Sequence, residues 1–522
     1  MIKDKSSIAS RDILLAVSSG LLLVTVFPRF NLEIIAWFSL IPLFYAIQGK
    51  RLHHSFYLGS ITGFVFFLGL VYWVFVAVSR YGNLNCILSV FVLLLLVSYL
   101  SLFIGAFAFL VRYIESRIGL KEVTTAPFIW VSLEYVRSFL FTGFPWESLG
   151  YSQFLILPLI QVSDITGVYG ISFLIVLVNA LLFNISYCRF SKNEQRFYKE
   201  AAFTFLLLMI AFSYGGWRLS DVSDKAQTFS DIKVALIQGN IDQSRKWDPA
   251  FQDSTFKIYR DLSYQAAKSS PSLIVWPEAA TPFFFQSYDK YRNLIIDISK
   301  ETDSYLLFGS PAYKESRGKI EYFNSAFLIS PDNDLFGRYD KIHLVPLGEY
   351  VPFGKYLYFI DKIVEGIGDF SSGKRVEPLE FPMGRLGVFI CYEGIFPDLV
   401  RKFVKKGANV LVNITNDAWF GETSAPYQHL SMVTFRAVEN RVFVARAANT
   451  GISSFIDATG KIRATTEIFT KGFLVDRVPL VEIHTFYTRY GDIFARICLG
   501  ITLILIIVTR KGFKESRGQG FK

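Results

Sequence analysis

The chain has 522 residues, of which 52% are hydrophobic and only 19% are charged, and its formal net charge is +10. A soluble protein usually carries about a quarter charged residues. This composition therefore argues against a purely soluble protein and favours one that buries apolar surface in lipid. The length leaves room for two or three domains.

Apolar segments that could cross a bilayer occur mainly in the first part of the chain. A hydrocarbon core about 30 Å thick needs roughly 20 apolar residues in a helix, and residues 57–78 and 86–111 reach this length without a charge. The segment 124–141 contains Glu134 and Arg137, which could pair on one helix face for packing or for function. Together with shorter segments, we expect about eight spans, the others being residues 13–27, 34–47, 168–185, 201–214 and 493–508.

The positive charges fall on one side of this eight-span arrangement. If the N-terminus is cytoplasmic, the inside segments hold 17 Lys and Arg residues against 5 acidic residues. The positive-inside rule then predicts cytoplasmic termini and an extracytoplasmic segment 218–492. Because the inside segments account for the net charge, the basic composition does not indicate nucleic-acid binding. These segments are residues 1–11, 49–56, 112–123, 187–199 and 510–522.

The sequence divides into three parts: a membrane domain at 1–217 with about seven helices, an outer domain at 218–492, and a final span with a basic tail at 493–522. Short apolar strands that end at polar, Gly or Pro residues alternate with helical stretches in the outer domain, which indicates α/β layers. The predicted strands are residues 233–238, 273–276, 305–308, 326–329, 335–339, 386–390, 410–414 and 442–445, and the clearest helices are 253–269 and 398–406.

Cys391 is the one cysteine of the predicted outer domain, so it has no disulfide partner there. It follows a buried-type strand and precedes a helix start. A thiol at such a position is exposed at a sheet edge, and the backbone amides after it are free to stabilise an oxyanion. The alternative is a buried cysteine that only packs.

A thiol nucleophile needs a base. His343 or His429 could form a Cys–His pair, although nothing in the sequence places either near Cys391. Carboxylate and lysine offer a second set, because Glu278 directly follows a predicted strand and Lys341 precedes a loop rich in Pro and Gly. Taken singly, each of these is an ordinary surface charge. No metal-binding spacing of the HExxH or CxxC type occurs, and we expect no metal or other cofactor.

In this order, Glu278, Lys341 and Cys391 resemble the Glu–Lys–Cys triad of the nitrilase, or carbon–nitrogen hydrolase, superfamily. The whole chain resembles the bacterial apolipoprotein N-acyltransferases, whose architecture is a bundle of membrane helices, a nitrilase-like periplasmic insert and a final helix. The further motifs that carry the resemblance are residues 142–146, 150–152, 238–240, 246–249, 416–421 and 485–491.

The resemblance implies an αββα sandwich in which Cys391 is the nucleophile, Glu278 the general base and Lys341 the stabiliser of the tetrahedral intermediate. An ammonium beside the thiol would also lower the pKa of that thiol. The resemblance further implies supporting active-site roles for four residues, Trp247, Glu349, Tyr392 and Glu393.

As a function, the resemblance implies the last step of lipoprotein maturation, on the periplasmic side of the bacterial inner membrane. A fatty acyl group would pass from a phospholipid, through a Cys391 thioester, to the N-terminal amine of S-diacylglyceryl-cysteine of an apolipoprotein. An aromatic-rich loop at 350–359 is a candidate part of a water-excluding cover.

Two other interpretations remain. A membrane-tethered amidase would use the same triad with water as the acyl acceptor, and a transporter or scaffold would carry an inactive domain. The membrane helices favour the acyltransferase, because a lipid donor and a lipid-anchored acceptor both require them.

Overall fold

In a computed structural model the described residues are 7–82, 84–188, 194–244, 246–287, 289–316, 318–332, 334–346, 348–350 and 369–518. They form two compact units. The first comprises Met1–Tyr72, Val90–Arg218 and Tyr490–Lys522, and the second comprises Trp73–Ser89 and Leu219–Arg489. Nearly all of the predicted cover at 350–359 lies outside the described residues. The domain boundaries at 217 and 492 stay predictions.

Sixteen α-helices are described in these parts of the chain. In chain order they are α1 (Ser10–Thr25), α2 (Ile41–Ile47), α3 (Leu52–Leu70), α4 (Trp73–Val76), α5 (Cys86–Ile118), α6 (Glu122–Arg137), α7 (Leu157–Ile160), α8 (Ser163–Thr166), α9 (Val168–Cys188), α10 (Glu194–Ala226), α11 (Gln252–Ala267), α12 (Asp289–Glu301), α13 (Pro397–Lys405), α14 (Ala425–Asn440), α15 (Phe486–Tyr490) and α16 (Ile493–Gly518).

Helices occur at every predicted span, but not all are long enough to cross a bilayer alone. Four helices combine sufficient length with sufficient apolar character, and a bent pair, Leu52–Leu70 with Trp73–Tyr81, would make a fifth. The helices at the remaining positions, α1, Glu33–Ile47 and α6, are shorter than 18 residues. The described residues therefore contain four to five apolar spans, most of them in the helical N-terminal region. The four are Cys86–Ile118, Val168–Tyr187, Tyr198–Ala226 and Ile493–Lys511.

The apolar segment expected to span at 57–78 is not one straight helix but the bent pair. Helix α3 ends at Leu70, and a short helix and a π-helix, Ala77–Tyr81, follow it. Within the second unit the Trp73 ring lies 4.8 Å from Phe420, and the Tyr81 ring lies 5.8 Å from Trp419. These aromatic side chains pack on protein, and hydropathy alone does not distinguish such packing from burial in lipid.

Glu134 and Arg137 do not form the expected ion pair in the described chain. Glu134 Oε1 instead accepts hydrogen bonds from Trp130 Nε1 at 2.9 Å and from the Leu149 amide at 2.7 Å. Arg137 donates to the Trp146 carbonyl at 3.0 Å. Both charged side chains are buried, so they hold the loop after α6 to that helix.

The second unit contains two six-stranded sheets. The first has the order β12-β1-β2-β3-β4-β5 and the second the order β11-β10-β9-β8-β7-β6. Strands β1, β2 and β3 are parallel, as are β7, β8 and β9. The strands are β1 (Asp231–Gln238), β2 (Leu273–Val275), β3 (Tyr305–Ser316), β4 (Lys319–Ile329), β5 (Leu335–Asp340), β6 (Leu379–Phe381), β7 (Gly384–Ile390), β8 (Val410–Thr415), β9 (Val444–Ala448), β10 (Ser454–Ile456), β11 (Ile462–Thr465) and β12 (Gly472–Pro479).

Alternating side chains of each strand point to opposite faces of its sheet. Val234 and Leu236 of β1 join a core that contains residues of both sheets, whereas Ala235 and Ile237 join a separate core with α11 and α12. Helix α13 packs on β7 and helix α14 on β9. The unit is therefore a nitrilase-like α/β sandwich with helices outside both sheets, as expected.

All eight predicted strands of the outer domain are present, and apart from β3 and β4 their boundaries differ by at most three residues. Strand β3 is much longer than expected at 12 residues, because it pairs along its whole length with β4. The prediction missed the helices α12 and α14 and the strands β6, β10, β11 and β12. Helix α14 is buried almost all round, its polar residues included, so it lacks the separate apolar and polar faces that mark a surface helix.

Candidate active site

The three predicted triad residues follow three different strands. Glu278 comes three residues after β2, Lys341 directly after β5, and Cys391 directly after β7. All three side chains are buried, and the charges of Glu278 and Lys341 both act on the Cys391 thiol. The two sheets of the sandwich thus bring one acid, one amine and one thiol together at strand ends.

Glu278 and Glu349 share the same donors. The Lys341 ammonium lies 3.2 Å from Glu278 Oε1 and 2.9 Å from Glu349 Oε1. Asn324 Nδ2 donates to the same two oxygens, each at 2.8 Å. The Asn416 amide donates to Glu278 Oε2 at 2.9 Å. Both oxygens of the Glu278 carboxylate are therefore held in place.

Lys341 carries a permanent charge in this setting. Burial by itself would lower the pKa of Lys341, but the carboxylates of Glu278 and Glu349 outweigh it and raise that pKa. Only 1% of the Lys341 side chain is exposed. A buried ammonium with two carboxylate partners is a fixed positive charge, which suits it to stabilise developing negative charge.

Cys391 begins a 3-10 helix, Cys391–Ile395, immediately after β7. Its φ of +50° lies in the left-handed region, which residues other than glycine adopt at a cost and frequently at functional sites. Burial and the charge of Glu278 raise the pKa of the thiol, while Lys341 lowers it. The expected lowering by the ammonium is present but outweighed, so the resting thiol is protonated and needs a base.

Glu393 binds backbone amides. Its side chain accepts hydrogen bonds from Tyr339 Oη at 2.8 Å, the Ile342 amide at 2.7 Å and the Ile390 amide at 2.6 Å. Burial is the main reason that the pKa of Glu393 rises to about 6. Glu393 thereby ties the chain after β5, which carries Lys341, to the end of β7, which carries Cys391.

Tyr392 and Trp247, the remaining predicted site residues, have no hydrogen bond to the triad side chains among the described contacts. The Tyr392 ring is buried and packs 5.2 Å from Phe396 and 5.8 Å from His343. Trp247 is half-buried, and in the described chain it makes no hydrogen bond or ring contact with the other six predicted site residues. The catalytic and supporting roles of all seven stay predictions.

The two candidate histidines do not take the position of a base. The Nε2 atom of His429 lies 3.1 Å from the Cys391 carbonyl oxygen, and its Nδ1 atom lies 3.1 Å from Asp417 and 3.2 Å from Arg446. Burial, and then the charge of Arg446, lower the pKa of His429. Burial and Lys341 lower the pKa of His343 to about 4. The lowered pKa values make both rings weak bases, and the role of Glu278 as the base stays a prediction.

Several site residues escaped the sequence interpretation. Asn324 lies within a strand and carries no motif. Lys246 and Asn416 belong to motifs that were noted without a role for either residue. The Lys246 ammonium donates to the Glu278 carbonyl at 3.1 Å, and the Asn416 side chain donates to Gln243 at 2.7 Å. The sequence signal that could have indicated Lys246 is that it begins the Lys-Trp-Asp-Pro motif at 246–249, one of the motifs that carry the family resemblance.

Comparison with known proteins is consistent with these features. The family model "Apolipoprotein N-acyltransferase N-terminal domain" matches residues 19–181, and the model "Carbon-nitrogen hydrolase" matches residues 233–487. The chain is 49% identical over 512 residues to the apolipoprotein N-acyltransferase of Geobacter metallireducens, and the alignment covers 97% of each chain. The chain belongs to the apolipoprotein N-acyltransferase family.

More distant members of the family also align over nearly the full length. The apolipoprotein N-acyltransferase of Pasteurella multocida is 31% identical over 96% of this chain and 94% of its own. That of Haemophilus influenzae is 32% identical over 92% and 91%. Membership makes this protein an enzyme, an N-acyltransferase with a nitrilase-like domain. Among solved structures, a carbon-nitrogen hydrolase from Helicobacter pylori aligns with 51% of this chain and 95% of its own, at 17% identity and a TM-score of 0.39.

Proposed function

We propose that this N-acyltransferase moves a fatty acyl group from a phospholipid, through a thioester on Cys391, to the N-terminal amine of S-diacylglyceryl-cysteine of an apolipoprotein. The observation that carries the proposal is the buried cluster at three strand ends, in which Glu278 and Lys341 act on the Cys391 thiol. The apolar helices of the same chain suit a donor and an acceptor that both reside in a membrane.

In the first half-reaction Glu278 takes the thiol proton as Cys391 Sγ attacks the ester carbon of the phospholipid. The Lys341 ammonium stabilises the oxyanion, a contribution that is typically worth about 3 kcal/mol for one preorganised donor. The C–O bond then breaks, and Glu278 returns the proton to the leaving lysophospholipid oxygen. The product of this step is an acyl thioester on Cys391.

In the second half-reaction the acceptor amine attacks the thioester carbon. Glu278 takes a proton from the amine, the C–S bond breaks, and the thiolate recovers that proton. Glu349 supports both steps by holding Lys341, and Glu393 by tying the strand ends together. Tyr392 packs its ring on Phe396 and His343, and for Trp247 we propose only a supporting role in the site.

A membrane-tethered amidase is the alternative, because its acyl-enzyme would form by the same chemistry and would then react with water. The two functions differ in the lifetime of the thioester. A transferase requires a site that excludes water until the amine arrives, whereas a hydrolase does not.

Wild-type enzyme supplied with phospholipid labelled in its acyl chains, and with no acceptor, is expected to accumulate a covalent label on the protein. The label is a thioester, so hydroxylamine should remove it. Addition of a diacylglyceryl-cysteinyl peptide should discharge the label onto the peptide amine, and initial rates should follow ping-pong kinetics. Gel autoradiography and mass spectrometry of the peptide measure both steps.

One control and one contrary outcome distinguish the two functions. A peptide with an acetylated N-terminus offers no amine and should leave the label on the protein. Rapid release of the label as free fatty acid without any acceptor would instead favour the amidase.

We infer further that about eight helices cross the bacterial inner membrane, with both termini in the cytoplasm and the catalytic domain in the periplasm. The charge distribution supports this orientation. A reporter enzyme active only in the periplasm should be active when fused after Ser230 and inactive when fused after Arg510. A reporter active only in the cytoplasm is the matched control and should give the opposite pattern. If both patterns are reversed, the proposed orientation is wrong.

A further inference from the structure

A second buried lysine lies beside Glu278. Only 2% of Lys246 is exposed, and its ammonium donates a hydrogen bond to the Glu278 backbone carbonyl at 3.1 Å. Ala279, the next residue, has a φ of +47°, so the chain turns sharply at the catalytic carboxylate. A buried carbonyl needs a donor. At this turn the donor is a side-chain ammonium from a distant loop.

The same loop reaches the other side of Glu278. Gln243 accepts a hydrogen bond from Asn416 Nδ2 at 2.7 Å, and the Asn416 amide donates to Glu278 Oε2 at 2.9 Å. Lys246 therefore contacts the backbone of Glu278, and Gln243 contacts its carboxylate through Asn416. This double contact links the loop to the orientation of the general base.

The surroundings of Lys246 differ from those of Lys341. Lys341 has two carboxylate partners and stays charged. The hydrogen-bond partner of Lys246 is a neutral carbonyl. Burial lowers the pKa of Lys246 to about 8, and the charges of Glu278 and Cys391 oppose this shift. Lys246 is thus largely protonated at pH 7 and neutral well above pH 8.

We propose that Lys246 is a positioning residue of this active site, which holds the turn that presents Glu278 and adds a positive charge that favours the Cys391 thiolate. The charged and titratable groups that act on it are Glu278 and Cys391, with Lys341 on the carboxylate of Glu278. The inference deepens the proposed function, but its first test requires only the thiol.

The test compares Lys246→Met with wild type by the rate at which iodoacetamide alkylates Cys391 between pH 6 and pH 10. Quantifying the Cys391 peptide by mass spectrometry separates it from the other cysteines. We expect a rate at least about tenfold lower at pH 7, which displaces the part of the profile below pH 8 upward by about one pH unit, because the thiolate loses a nearby positive charge. The difference in alkylation rate between wild type and Lys246→Met should narrow above pH 8, because Lys246 of the wild type loses its charge there.

Lys290→Met is the matched control, because Lys290 is an exposed lysine of the same unit that pairs with Asp253. In Lys290→Met, iodoacetamide should alkylate Cys391 at the wild-type rate across the pH range. If Lys246→Met keeps the wild-type alkylation profile, the proposal is overturned, and a lowered melting temperature with that unchanged profile would assign Lys246 a purely structural role. Alkylation does not depend on the acyl donor. The two proposals can therefore fail separately. If the alkylation profile of Lys246→Met is displaced but the wild-type enzyme takes up no acyl label, the positioning role of Lys246 is supported and the phospholipid reaction is refuted.

Discussion

Cys391→Ala is expected to take up no acyl label and to lose amide formation by a factor on the order of 10⁴ or more, since removal of a covalent nucleophile costs losses of this size. No thioester can form without the sulfur atom, so neither half-reaction remains. Alanine removes one buried atom and leaves the neighbouring contacts of Glu393 with backbone amides in place. The expected defect is therefore chemical, and the melting temperature should stay close to that of wild type.

The matched control for this substitution is Cys86→Ala. Cys86 is an exposed thiol at the start of α5, and its loss should leave labelling and amide formation unchanged. If Cys391→Ala still takes up the acyl label, the Cys391 thiol is not the nucleophile of the mechanism.

Glu278→Gln is expected to slow acylation of Cys391 by about 10²- to 10⁴-fold, the usual contribution of a general base. Burial keeps the resting thiol protonated, and a neutral amide does not remove its proton. The amide also fits the site poorly. Glu278 accepts from Lys341 and Asn324 on one oxygen and from the Asn416 amide on the other, so a glutamine NH₂ group must face a donor.

Burst-phase labelling with excess phospholipid measures this acylation rate directly, and the slow label should still be discharged by the acceptor peptide. Glu380→Gln, at an exposed position of β6 that pairs with Arg385, should acylate as wild type does. A Glu278→Gln enzyme that retains more than a tenth of the wild-type rate would contradict the assignment of Glu278 as the base.

The strands that carry the site were predictable because their signals are local. Glu278 and Cys391 each follow a short, largely apolar strand, β2 or β7, and Lys341 follows β5, which was predicted as the second strand of a hairpin. The motif order then indicated the family. The membrane character was likewise visible in composition and in long uncharged segments, because transfer into lipid depends mainly on the number of consecutive apolar residues.

Contacts between distant segments were not predictable in this way. Asn324 donates hydrogen bonds to both Glu278 and Glu349, and Lys246 donates one to the Glu278 carbonyl. These contacts depend on how the folded chain packs. The sequence also did not indicate that α3 ends at Leu70 or that Trp73 packs on Phe420. An apolar residue has the same hydropathy whether it contacts lipid or protein.

The sequence by itself determined the membrane-associated class and the α/β domain, and it singled out the three predicted triad residues, since each depends on local composition or on an ordered motif. The tertiary structure decided how those residues are charged and held. Burial raises the pKa of the Cys391 thiol, two carboxylates keep Lys341 protonated, and burial beside a neutral carbonyl brings the pKa of Lys246 to about 8. These properties depend on desolvation and on charges brought together by folding, which no local stretch of sequence contains.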